Sequence, residues 1–148
     1  MDTALGAGHN YIGVGAVIRD SLGSVRAALS KKIVSIFSPF LAECINIREG
    51  IMLAVEYNLP ISFIKSDSRN AILVVQNGFL YSLKGPILKD IYSSFYLLGN
   101  VTCYHISRLG NMVAHNLAHF RFRSRIDQVW VDETPTCVHC YVLNDLLV

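Results

Sequence analysis

The sequence has no apolar run long enough to cross a bilayer. Charges, Gly or Asn interrupt every candidate within about a dozen positions, short of the roughly 18 residues that suggest a span, so no membrane helix is expected. Net charge is also nearly absent. Thirteen Lys and Arg against eleven Asp and Glu leave +2 at pH 7, too little to hold the chain on a polyanion by bulk charge, and any nucleic-acid contact must be local. A basic leader is missing too: the opening MDTALGAGHN places an acid at Asp2 and no Lys or Arg before an apolar run, the wrong order for a secretory signal. A reducing, intracellular compartment is expected, nucleus or cytoplasm. There the four cysteines, Cys44, Cys103, Cys137 and Cys140, are free thiols and no disulfide-linked partner is expected. Cys137 and Cys140 form a C-x-x-C around His139, but no second pair stands at ribbon spacing to complete a structural zinc site.

What the chain does have is apolar content: 52% of its 148 residues are hydrophobic and 16% charged, which excludes disorder as a global description. A domain of this size hides roughly 70% of its unfolded surface without disulfide staples, so one compact domain and a monomer are expected. Gly13–Asp20 is β-rich and ends in polar residues, Val25–Lys31 follows, and Asp20-Ser21-Leu22-Gly23 between them has the composition of a tight turn, which predicts a hairpin. Asp2–Leu5 reads as the stub of an earlier strand, so the chain is expected to begin inside a truncated first strand. Ser38-Pro39 supplies an N-cap and a first-turn proline for a helix in which Leu41, Cys44, Ile45, Ile51, Ala54 and Val55 recur near helical period, with Asn58-Leu59-Pro60 as its stop. Ile61–Lys65 is a short buried strand that delivers Ser66-Asp67 at its carboxyl end. Ser68 caps a second helix through Gln76, stopped by Asn77-Gly78, and Pro86 opens a third that runs to about Gly99. Val101–Ser107 is the last clear strand and Asn111–Phe122 the last helix. Meander first and helical crossovers later define an α/β class with a mixed sheet. Residues 123–148 read as an extended tail.

In this topology Asp2 on the first strand, Glu43 in the first turn of the first helix and Asp67 at a strand end converge, because ligands of open α/β sheets bind beyond strand carboxyl ends. Clustered carboxylates repel unless a cation separates them, and hard oxygen ligands suit Mg²⁺ or Mn²⁺. A pair of such ions would clamp the attacking and leaving oxygens of a phosphodiester displacement. Each acid also has a plain structural reading: Asp67 beside a helix cap, Glu43 against a helix dipole, Asp2 as an exposed terminal acid.

The segments GVGAVIRDSLGSVRAALSK, FLAECINIREGIMLAVEYNL, FIKSDSRNAILVVQNG and YHISRLGNMVAHNLAHF resemble, in order and spacing, the type 1 ribonuclease H-like domain of plant, retroelement-derived, reverse-transcriptase-associated proteins. The resemblance spans about residues 2–122. It implies a ribonuclease H-like mixed five-stranded sheet flanked by helices, a domain over 1–122 followed by the tail 123–148, and Mg²⁺-dependent cutting of the RNA strand of RNA/DNA hybrids at a two-ion site. Asp2, Glu43 and Asp67 then stand at three of the family's four metal-binding carboxylates. The fourth, in the N-x-x-A-D-x-L-A motif, is His115 here, within Asn111-Met112-Val113-Ala114-His115-Asn116-Leu117-Ala118. His105 lies six residues before Asn111, where catalytic members carry a loop histidine that assists proton transfer. Arg108, in His105-Ile106-Ser107-Arg108, and Asn111 are expected to contact nucleic acid.

The leading expectation is a metal-dependent endoribonuclease using Asp2, Glu43, Asp67, His115 and His105. The alternative is a domesticated, catalytically weak or inactive ribonuclease H-like binding module, favoured by His115 and the short first strand.

Overall fold

The chain is described by a computed structural model covering residues 2–5, 10–34, 38–77 and 85–146, the side chains of 2–5, 85 and 146 excepted. Strands β1 (Asp2–Leu5), β2 (Tyr11–Arg19) and β3 (Val25–Val34) form an antiparallel meander. The turn between β2 and β3 is chemically local. Asp20 Oδ1 accepts from the backbone N–H groups of Leu22 (3.0 Å) and Ser24 (2.9 Å), while Gly23 takes φ +83°, a left-handed conformation that a Cβ would disfavour. Helix α1 (Pro39–Glu56) begins as its sequence predicts, with Ser38 Oγ accepting from Leu41 N–H at 3.2 Å and Pro39 inside the first turn. Strand β4 (Phe63–Ser66) leads into α2 (Arg69–Gln76), capped by Ser68, and α3 (Gly85–Leu98) leads to β5 (Thr102–His105). A 3₁₀ turn (Arg108–Asn111) then opens α4 (Met112–Arg123). Position 78 of the anticipated α2 stop and positions 6–9 of the loop before β2 lie outside the described residues.

All five anticipated strands are present, and β4 pairs with β5 in parallel, Ile64 opposite Cys103 and Ser66 opposite His105. Among the described residues the hydrogen bonds group the strands as a four-stranded sheet, β1-β2-β3 plus a further strand, and the separate β4-β5 pair. Helix α1 fills the seam between them. Its Cys44, Ile47 and Ile51 pack with Ile64, Ile72, Ile91 and Cys103, and its Ala42, Ile45, Leu53 and Ala54 pack with Ile12, Val14, Ala16 and Leu29. Leu41, one of the apolar residues at helical period, is only half-buried.

Helix α4 covers β2 at very close range because β2 offers glycine there. A Cβ on Gly13 would lie 2.3 Å from the carbonyl oxygen of Ala118, and one on Gly15 would lie 2.1 Å from that of Ala114. The buried hydroxyl of Ser30 donates to Leu117 O at 2.7 Å and sets the rotation of the helix.

The segment read from sequence as an extended tail is structured. Strand β6 (Gln128–Val131) adds antiparallel to β3, and after a 3₁₀ turn (Thr136–Val138) comes α5 (His139–Leu146). Val138 and Val142 join Val25, Ala28, Val113 and Leu117 in a third core cluster, while Arg19 reaches Asp145 at 2.8 Å. Four residues of alternating pattern are too short a strand signal by themselves; the unpaired edge of β3 supplies the ladder. Cys137 sits half-buried beside this cluster and Cys140 is exposed, so the C-x-x-C pair is split between core and solvent. The four cysteines are free. Burial pushes the Cys103 thiol up to about 11 and that of Cys137 upward as well, which keeps both protonated and unreactive near neutrality.

Asp127 ties the α4–β6 corner. It accepts from Arg121 Nε at 2.7 Å and from Lys32 N–H at 2.8 Å. Burial would raise its carboxyl, but these hydrogen bonds and the charges of Arg121 and Lys31 outweigh it and hold the value below the ordinary aspartate range. A folded-state value below the unfolded one means that the stabilisation is complete above the ordinary range and is lost as pH falls through the lower value. The chain's one tryptophan, Trp130, packs against Phe120 with ring centroids 6.0 Å apart and reports on this corner. Its fluorescence is expected to change in an acid step below about pH 4. The step should disappear in Asp127→Asn; an identical acid profile in the variant would assign the step to other carboxylates.

Candidate active site

Strand alternation positions Asp67. Ile64 and Ser66 face inward, Phe63 and Lys65 face outward, and Asp67 follows on the outward side at the carboxyl end of β4. Ser66 Oγ accepts from Ser68 N–H at 3.1 Å, and Ser68 caps α2, so the backbone around Asp67 is held on both sides. The Asp67 side chain is 7% exposed, and the group that meets it there is a cation: Arg108 Nε donates to Asp67 Oδ2. A second nitrogen of the same guanidinium, Nη1, lies 2.5 Å from Nδ1 of His115. Guanidinium only donates, so Nδ1 is the accepting side of this contact. Three residues from β4's end, the 3₁₀ turn and α4 thus meet in one group.

His115 is also the first of a ring ladder. It contacts His119 at 4.5 Å between centroids, His119 contacts Phe122 at 5.9 Å, and Phe122 reaches Tyr11 of β2 at 5.5 Å. His119 was not singled out by the sequence reading, although its four-residue spacing from His115 puts both on one helix face. The glycines Gly13 and Gly15, read only as strand residues, bring α4 close enough to β2 for this ladder. Their G-x-G spacing on one strand face is the signal that a backbone approaches.

The other expected site residues are placed as follows. Asp2 pairs with Gly15 in the β1–β2 ladder, and β1 packs against both α1 and α4; the Asp2 side chain lies outside the described residues. Glu43 sits half-buried in the second turn of α1, one turn later than the sequence reading had it. His105 ends β5, exposed and opposite Ser66. Asn111 is buried at the start of α4. Among the described residues no group of three or more His, Cys, Asp and Glu side chains stands close enough to hold a metal ion. Of the other arginines, Arg48 pairs with Glu49 (3.1 Å) and Arg121 with Asp127, so both serve internal acids.

A three-stranded meander, a parallel pair, and helices that bring a strand-end aspartate and an α4 histidine together define a ribonuclease H fold. RNase H1 from the halophilic archaeon Halobacterium salinarum shares it, with a TM-score of 0.68 at 18% identity over 82% of this chain and 93% of that one. No curated protein shows significant similarity to the sequence. The chain belongs to the reverse transcriptase-like family, whose model matches residues 1–121. Among the described residues no helix is long and apolar enough to cross a membrane.

Proposed function

We propose that this chain is a nucleic-acid-binding hydrolase of the ribonuclease H type, from the retroelement-derived branch, that cuts the RNA strand of RNA/DNA hybrids. The observation that carries the reading is Asp67: a carboxylate almost withdrawn from water, at a strand end in this fold, with a positive charge already seated against it. That ion pair supports the reading of Asp67 as an acid that pairs with positive charge. Asp2, Glu43, Asp67 and His115 would hold Mg²⁺, or Mn²⁺, and the pair of ions would supply a polarised water and neutralise charge on the departing oxygen. Asp67 contributes the fixed negative charge, and Ser66 and Ser68 keep its backbone from yielding. His105, exposed at the end of β5, is the candidate to move a proton, and Arg108 and Asn111 to orient the substrate backbone.

The test is cleavage of an end-labelled hybrid with Mg²⁺ and with chelator. Cutting confined to the RNA strand and dependent on metal supports the reading; binding without cutting at any metal concentration selects the second one, a catalytically inactive binding module. That alternative is favoured by one observation, the engagement of both Asp67 and His115 by Arg108. His115→Asp separates the two. A hard anion replaces a neutral nitrogen donor, so metal affinity and cleavage are expected to rise, by roughly tenfold for each 1.4 kcal/mol gained. A fall in cleavage with well-bound metal would show that His115 is not a weakened ligand.

A further inference from the structure

The guanidinium of Arg108 engages two of the residues that the proposed function assigns to a metal, Asp67 through Oδ2 and His115 through Nδ1. Its two acceptors come from separate elements, the end of β4 and the first turn of α4, so tertiary structure rather than chain proximity specifies the contact. Burial is unequal across the pair. The Asp67 side chain is 7% exposed and that of Arg108 55%. A carboxylate so far out of water needs a positive partner, whereas a half-exposed arginine can move its head into solvent at small cost. The arrangement therefore suits exchange: the acid stays and the cation beside it changes.

We propose that Arg108 is a resident counter-cation of the site. It keeps Asp67 and His115 in place while no metal is bound, and it must swing outward before a divalent ion can take their lone pairs. Apparent metal affinity is then reduced by the fraction of chains in which Arg108 is seated. A substrate phosphate that attracts the guanidinium outward raises metal affinity, and by linkage metal raises affinity for the phosphate backbone to the same degree. Arg108 is on this account a positioning residue that couples the two. The inference rests on the reading of Asp67 and His115 as metal ligands.

Calorimetric titration of the full chain with Mg²⁺, without nucleic acid, tests it. Arg108→Gln and Arg108→Ala, both at a half-exposed position, should each bind Mg²⁺ roughly tenfold more tightly than the parent if Arg108 is seated about nine-tenths of the time. In chelator both should melt at a lower temperature than the parent, because Asp67 has lost its counter-charge, and added Mg²⁺ should raise their melting temperature by more than it raises the parent's. Unchanged or weaker Mg²⁺ binding in both variants, with binding to the parent abolished by Asp67→Asn, would overturn the role of Arg108 and leave the metal site standing. No Mg²⁺ binding by the parent or by either variant would overturn the metal reading itself, and this inference with it.

Discussion

Asp67→Asn is expected to reduce metal-dependent hybrid cleavage by roughly a thousandfold or more, since a lost metal ligand removes several kcal/mol of transition-state stabilisation. The substitution keeps the side chain's shape and one accepting oxygen, so Arg108 retains a hydrogen bond and only the charge is lost. Relief of repulsion among clustered acids would by itself make the variant neutral or more stable, but Arg108 already compensates Asp67 in the metal-free chain. The expected change is therefore a small loss, about 1 kcal/mol, because the arginine is half exposed and well solvated. Cleavage rates on a labelled hybrid and denaturant melts measure the two effects separately. Full activity in a normally folded variant would remove Asp67 from the mechanism.

Gly15→Ala should damage the fold far more than its single methyl suggests. The new Cβ would stand 2.1 Å from Ala114 O, 2.4 Å from Ala118 N and 3.0 Å from Leu117 C, all backbone atoms that no rotamer change can move. Strand β2 cannot retreat, because Gly15 pairs with Asp2 on one side and Ser30 on the other. Helix α4 must lift instead, which strips the core contacts of Val113 and Leu117 and displaces His115. A destabilisation of about 3 kcal/mol or more is expected, at the upper end of overpacking effects. Gly110→Ala is the matched control. Its Cβ would meet nothing nearer than 3.8 Å, and a change within about 0.5 kcal/mol is expected. A cost below about 1 kcal/mol at Gly15 would mean that α4 does not rest on β2 as described.

The elements that were legible in the sequence are those whose stabilising partners lie within a few residues. The β2–β3 turn depends on Asp20 and Gly23, the start of α1 on Ser38 and Pro39, and the start of α2 on Ser68; each is a local hydrogen bond or a local backbone preference. Asp67 was legible for a related reason, since strand alternation and the cap that follows place it at a sheet end whatever surrounds it. Strand β6 and helix α5 were not, because β6 is held by the edge of β3 about a hundred positions earlier and α5 by Val25, Ala28 and Arg19.

Arg108 marks the same division within the site. Its place in the family-like stretch His105-Ile106-Ser107-Arg108 pointed to a phosphate contact, which is the chemistry a guanidinium offers to any nearby anion. Which anion it meets depends on how α4 is seated, and that seating follows from two glycines in β2 and the Ser30 hydroxyl rather than from anything near Arg108. The sequence by itself determined the order of strands and helices as far as α4, the hairpin, the helix starts and the strand-end acid, all through short-range chemistry. Only the tertiary structure decided that Asp67 and His115 share one cation, because backbone contact between α4 and β2, distant in sequence, sets the position from which Arg108 reaches both.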